Sequence, residues 1–218
     1  MVSAGTLGAA PTLPGASDRR AQIDIAVLAS GSGTNLQALI EDPEVCPHIR
    51  VVVSDRPEAA ALARARGAGI DTAIVPWSDH PDRVSFSVAL ADLVEESGAK
   101  GVVLAGFMRV LSADFVGRFS GRILNVHPSL LPAFPGARAV EGAIRHGVKV
   151  TGVTVHFVEE AVDSGPIVAQ RAVEVLPDDT VDTLHQRIQV EEHRIYPRVV
   201  AAFVNGALSL EGRRVVWS

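Results

Sequence analysis

IDIAVLASGSGTNLQALI, residues 23–40, is the stretch whose reading decides the fold. Its first half, IDIAVLAS (23–30), is a near-continuous apolar run of strand length. A strand that is apolar at successive positions is covered on both faces. GSGTN (31–35) then breaks the run with glycines, and Leu36, Leu39 and Ile40 come after it at helical spacing. Strand, sharp glycine turn and helix, in that order, open a βα unit.

The pattern repeats outward from there. IRVVVSD (49–55), IDTAIVP (70–76), KGVVLAG (100–106) and RILNV (122–126) give four further strand signals. Between them EAAALARARGAG (58–69) reads as a helix closed by Gly67 or Gly69, and PDRVSFSVALADLVEESG (81–98) as one stopped at Gly98. Apolar strands alternating with helices predict an α/β fold, a mostly parallel twisted sheet with helices on both faces in the Rossmann-like manner. Towards the end, KVTGVTVHFVEE (149–160) and PIVAQRAVEV (166–175) are joined by a short Asp-Ser-Gly segment with no room for a crossover helix. An antiparallel pair added to the sheet is expected there. Residues 178–206 carry a long helical pattern capped around Asp178 to Thr180, with a kink or break expected at Pro197.

Composition bounds the function. The chain has 218 residues, 47% hydrophobic and 21% charged, with a net charge of −5. That is a globular composition, long enough for a single domain with a sizeable core. An acidic balance without a basic block argues against nucleic acid as a partner, and no apolar run reaches the roughly 18 residues of a membrane helix. Cys46 is the single cysteine, which fits a reducing, cytoplasmic setting. Residues 1–22, rich in Ala, Gly, Ser and Pro, lack the charged start and apolar run of a signal peptide and read as a flexible extension preceding a domain over 23–218.

In an open α/β sheet, ligands collect beyond the carboxyl ends of strands where strand order reverses. The loops expected there are GSGTN (31–35), GFMR (106–109) and NVHPS (125–129). Glycines at a strand-to-helix turn leave backbone N–H groups and the helix dipole free for an anion, naturally a phosphate. The Walker lysine is missing, and Leu36 stands where a dinucleotide fingerprint wants glycine or alanine, although Asp55 mimics its ribose-binding acid. A plain tight turn is the competing reading. In NVHPS, Asn125 and His127 are two apart on an extended segment and so share a side. Their N–H groups could converge on an oxygen that gains negative charge, as in attack on a carbonyl. The prolines 128, 132 and 135 would stiffen the loop beyond them. Asp163, in VDSGP (162–166), would favour the charged imidazole if it lay beside His127; an ordinary turn aspartate is the alternative. His156 sits in an alternating strand on the face opposite Val155 and Phe157 and reads as a strand-face histidine. No His/Asp/Glu cluster has metal-ligand spacing, and no serine has a nucleophile-elbow setting.

These pieces together resemble the glycinamide ribonucleotide formyltransferases, folate-dependent enzymes of purine synthesis. The resemblance runs from about Ile23 to about Gly206. It rests on SGSGTNLQALI (30–40), VVLAGFMRVLS (102–112), GRILNVHPSLLP (121–132), VDSGP (162–166) and QVEEHRIYP (189–197). It implies transfer of the formyl group of 10-formyltetrahydrofolate, a co-substrate, to the amine of glycinamide ribonucleotide, with no metal. It also implies a catalytic trio at Asn125, His127 and Asp163. The ribonucleotide phosphate and ribose would lie at Gly33, Thr34, Asn35, Gln189 and Glu192. The folate would lie at Arg109, Val110, Leu111, Val158 and Asn125, under the 159–163 loop. The expected partners are these two small molecules, not nucleic acid or membrane, and exposed helices leave room for a homodimer. One departure is PGARAV (135–140), where the family carries a histidine-containing loop. The rivals are a formyltetrahydrofolate hydrolase, a methionyl-tRNA or sugar-nucleotide formyltransferase, and a non-catalytic dinucleotide-binding module using Asp55. The hydrolase would call for a domain before this one and the tRNA enzyme for one after it, Gly33-Thr34-Asn35 with Gln189 and Glu192 favour the ribonucleotide over a sugar nucleotide, and the last leaves the trio unexplained.

Overall fold

The computed structural model describes residues 22–218, so the extension expected over residues 1–22 lies, apart from Gln22, outside the described residues. Seven strands form one sheet: β1 (Ile25–Leu28), β2 (Ile49–Ser54), β3 (Asp71–Ile74), β4 (Gly101–Leu104), β5 (Ile123–His127), β6 (Val150–Phe157) and β7 (Ile167–Glu174), in the spatial order β3-β2-β1-β4-β5-β6-β7. The pairs from β3 to β5 are parallel, and β5–β6 and β6–β7 are antiparallel, as the short connection after β6 requires.

Successive residues of each inner strand feed opposite cores, which is why the strands are apolar throughout. Ala26, Leu28, Val51, Val53, Val102 and Ile123 face the cluster built on α3 (Arg83–Glu96) and α4 (Ala113–Arg118). Ile25, Val27, Val52, Val103 and Leu124 face the one containing α1 (Thr34–Glu41) and α6 (Val181–Val204). Two shorter helices, α2 (Ala60–Gly67) and α5 (Ala139–His146), complete the layers. Tyr196 of α6 is fully buried and donates its hydroxyl to Leu104 O at 2.9 Å, with Leu124 O at 3.3 Å, which ties α6 to the ends of β4 and β5.

The helix α6 differs from expectation. It begins at a capping box between Thr180 and Thr183, within the capping region expected from sequence, but continues through Pro197 without a break. Pro197 is buried among the apolar residues of the helix, and that tertiary packing offsets the lost N–H. Beyond it, β8 (Leu208–Glu211) and β9 (Arg214–Trp217) make a separate antiparallel hairpin. No helix among the described residues is long and apolar enough to cross a membrane.

Candidate active site

Strand order reverses at β1, whose neighbours are β2 and β4, and the loops beyond these strand ends form the site. The turn after β1 is fixed from outside: Ala61 N–H donates to Gly31 O (3.1 Å), Arg64 Nε to Ser32 O (2.8 Å) and Met108 N–H to Ser30 Oγ (2.9 Å). Gly33 adopts φ +71°, and a Cβ there would stand 2.7 Å from Ala61 Cα, so both conformation and close packing require glycine. The first α1 bond is Gln37 N–H to Gly33 O, so the N–H groups of Thr34, Asn35 and Leu36 lie ahead of the helical ladder. No acidic side chain in the first turn opposes an anion there.

Asn35 reaches from this turn to α6, where its Nδ2 donates to Glu192 Oε2 at 2.9 Å. Both residues are buried, and Asn35 Oδ1 is a buried acceptor with no partner. Burial pushes the Glu192 carboxyl up, opposed by the Asn35 hydrogen bond and by the charges of His185, His193 and His127. Gln189 lies one turn earlier on α6, at the i−3 position that shares the Glu192 side.

At the end of β5, His127 is buried between two acceptors. Its Nδ1 is 3.3 Å from Asp163 Oδ2 and its Nε2 is 2.9 Å from Phe134 O. A ring with a proton on each nitrogen donates to both. Asp163 has φ +52°, in the left-handed region, and its Oδ2 also accepts the Gly136 N–H at 2.7 Å. The segment PGARAV thereby supplies an amide to the aspartate before it opens α5. Asn125 pairs across the antiparallel ladder with His156, and its Nδ2 lies 3.3 Å from His156 Nε2. His156 Nδ1 faces Phe157 O at 2.8 Å, which places the proton on Nδ1 and leaves Nε2 to accept from the amide. Burial pushes the His156 ring below its ordinary value, favouring that neutral form. Asn125 thus spends one amide proton on His156 and retains a second.

A cavity of 240 Å³ adjoins these groups. Asn125, His127, His156 and Asp163 form its polar end, and Phe107, Met108, Val110, Leu111 and Val158 give apolar walls. This is a chamber for a flat, partly apolar group with polar edges. Arg109 also lines it, held by Asp55 Oδ2 at 2.7 Å and lying 4.8 Å from the Trp77 ring centroid. The Asp55 side chain is wholly buried, with Oδ2 on Arg109 and Oδ1 without a partner, so neither oxygen is exposed to a ribose as the dinucleotide reading would need. A larger groove of 490 Å³ between α1, α2 and α6 includes Thr34 but none of Asn125, His127 and Asp163.

The structure therefore gathers Asn125, His127, Asp163, Arg109, Val110, Leu111 and Val158 around one chamber. Gly33, Thr34 and Asn35 lie at the neighbouring helix start, joined to α6 through Glu192. His156 belongs with them: its Nε2 is 3.7 Å from Asp163 Oδ1 as well as touching Asn125. In sequence it reads only as a strand-face residue, and the available signal is its place on the polar side of an otherwise apolar strand. Among the described residues no group of three or more His, Cys, Asp or Glu side chains is arranged to hold a metal.

Known proteins resemble this arrangement over most of the chain. The bovine (Bos taurus) trifunctional purine biosynthetic protein adenosine-3 is 45% identical over 197 residues, 88% of this chain and 20% of that protein. The chain therefore spans about a fifth of that relative's length. Phosphoribosylglycinamide formyltransferase of Escherichia coli K12 is 40% identical, over 86% of this chain and 90% of that protein. The crystal structure of glycinamide ribonucleotide transformylase 1 from Symbiobacterium toebii superposes with a TM-score of 0.87 at 49% identity, covering 91% of this chain and 95% of that one. The formyl transferase family pattern matches residues 23–200, and the chain belongs to that family.

Proposed function

We propose that the chain transfers the formyl group of 10-formyltetrahydrofolate to the amine of glycinamide ribonucleotide, a step of purine biosynthesis carried out in the cytoplasm. The observation that carries this reading is the Asp163–His127 contact beside Asn125 at the polar end of the chamber, with the turn that leads to the Gly33–Asn35 helix start tied to the chamber wall through Met108 N–H and Ser30 Oγ. The relatives named for this activity support it.

Each part of the two substrates has a counterpart among these groups. The apolar walls at Val110, Leu111 and Val158 suit the fused ring of a pterin. The N–H groups at Gly33, Thr34 and Asn35 suit a phosphate. Glu192 and Gln189 suit ribose hydroxyls, and the unpaired Asn35 Oδ1 supplies one more acceptor. The donor brings the formyl carbon, and the protein's part is to hold charge and move protons. As the ribonucleotide amine forms its bond to that carbon, negative charge gathers on the formyl oxygen. The second amide proton of Asn125 and the Nε2–H of His127 are the groups to hold it. That Nε2–H points at Phe134 O, so the substrate oxygen has to displace or share this carbonyl. Asp163 orients the ring through Nδ1 and opposes its positive charge. When the carbon–nitrogen bond to the folate breaks, the leaving nitrogen takes a proton, which His127 or a relayed water delivers, while the former amine gives one up.

The test is spectrophotometric turnover of 10-formyltetrahydrofolate with and without glycinamide ribonucleotide. Deformylation that requires the ribonucleotide is the expected result. Equal deformylation in its absence would make the chain a hydrolase, and no turnover with either would remove the reading.

A further inference from the structure

The β8–β9 hairpin takes no part in the main sheet, yet its turn reaches the segment that carries Asp163. Arg213, between the two strands, donates through Nη2 to Ser164 O at 2.5 Å. Its Nη1 lies 3.6 Å from Glu159 Oε2. Glu159 and Ser164 lie on either side of the tip of the loop between β6 and β7, so one guanidinium spans the tip that carries Asp163. The base of that loop is otherwise fixed by the sheet: Val158 N–H donates to Ile123 O and Phe157 N–H to Pro166 O, each at 2.9 Å. Gly165 crosses so close to β6 that a Cβ would stand 1.9 Å from Phe157 O. Above that base, Ser164 Oγ donates to Ala161 O at 2.8 Å, and Asp163 sits at φ +52°. A non-glycine residue in that region stays there only when its surroundings hold it.

We propose that Arg213 is a positioning residue that holds the 159–164 loop closed, and with it Asp163 against His127. The proposal rests on the reading of the adjoining chamber as the folate-donor site. The Glu159 pair is solvent-exposed and contributes little by itself. The bond to Ser164 O is likewise exposed but charge-assisted, and two nitrogens of one planar guanidinium reach Ser164 and Glu159 at once, which lysine's single ammonium copies poorly. The effect is therefore specific to arginine and not to positive charge.

The experiment compares the full chain with Arg213→Ala and Arg213→Lys by amide hydrogen exchange without substrates and by steady-state kinetics with both. Arg213→Ala is expected to speed exchange of the 159–164 amides about ten-fold while the strands keep their protection. It is also expected to lower kcat and raise KM for 10-formyltetrahydrofolate, each about three- to ten-fold, with KM for the ribonucleotide unchanged. Arg213→Lys should recover less than half of both effects. Unchanged loop exchange in Arg213→Ala would overturn the proposal. So would faster exchange across the whole sheet with a lowered Tm, which would make the hairpin a general prop. The exchange measurement needs no substrate, so failure of the formyl-transfer reading in the wild type is told apart from failure of the tether.

Discussion

His127 and Asp163 meet at 3.3 Å, Nδ1 to Oδ2, with both side chains at most 10% exposed. The same carboxylate oxygen accepts the Gly136 N–H, so the imidazole, the Pro-rich loop and the β6–β7 connection converge on one atom. On the proposed reading that convergence sets turnover, and two further buried groups, His156 and Glu192, are expected to shape how the site responds to pH.

His127→Ala is expected to lower kcat by about 10²- to 10⁴-fold while leaving ribonucleotide affinity within about two-fold, because on the proposed reading the ring serves the reacting carbon and not the phosphate. Asp163→Asn keeps the shape and removes the charge, and a loss of about 10²-fold in kcat is expected. Calorimetric titration with glycinamide ribonucleotide beside single-turnover kinetics reads both. Equal losses of binding and turnover would remove His127 from the chemistry.

His156 is expected to titrate below its ordinary value of about 6.5, because burial opposes the charged ring. Nitrogen NMR of the imidazoles should find the proton on Nδ1, facing Phe157 O, with Nε2 unprotonated. The linkage has a definite sign. A depressed histidine contributes stability that is full above the unfolded value and is lost as pH falls from about 6.5 through the folded one. A ring that titrates at or above 6.5 would contradict this account of how Asn125 is oriented.

Glu192 carries the opposite sign. Burial raises its carboxyl above the ordinary 4.5, so the folded chain keeps that proton to higher pH than the unfolded chain does. Its contribution is full below the ordinary value and falls as pH rises through the folded one. The size is on the order of 1 kcal/mol for each tenfold difference in proton affinity between the folded and unfolded chain. Glu192→Gln retains an acceptor for Asn35 and should flatten this part of the stability profile from the ordinary 4.5 upward. The same variant should raise KM for the ribonucleotide. Denaturant titrations across that pH range check the first effect, and a wild-type profile as flat as the variant's would refute it.

Much of the fold was legible because burial on both faces leaves a plain mark: runs such as IAVL and VVVS have little polar character to hide their strands. The glycine turn at Gly33 and the antiparallel pair after β5 were equally readable, from φ-permissive residues and from a connection too short for a helix. What the sequence could not convey was register. His156 faces Asn125 because of the particular β5–β6 alignment, and nothing in either strand alone states which residue lies opposite which. Pro197 misled for a related reason: the local rule predicts a broken helix, while the packing that carries α6 past it comes from distant strands. Asp55 has the look of a ribose ligand in sequence because its partner Arg109 is 54 positions away.

The shared oxygen of Asp163 also constrains how this chain can change over time. Of the exposed side chains in this loop, Glu160 and Val162 line the chamber, and Ala161 does not and is free to vary in kind. The number of residues between Phe157 and Asp163 is not, since one insertion or deletion would shift Oδ2 out of reach of the Gly136 amide, the His127 ring or both. Substitution is cheap at Ala161 and a change of length is cheap nowhere in the loop, so its history should be one of constant spacing with letters changing where the chamber is not touched.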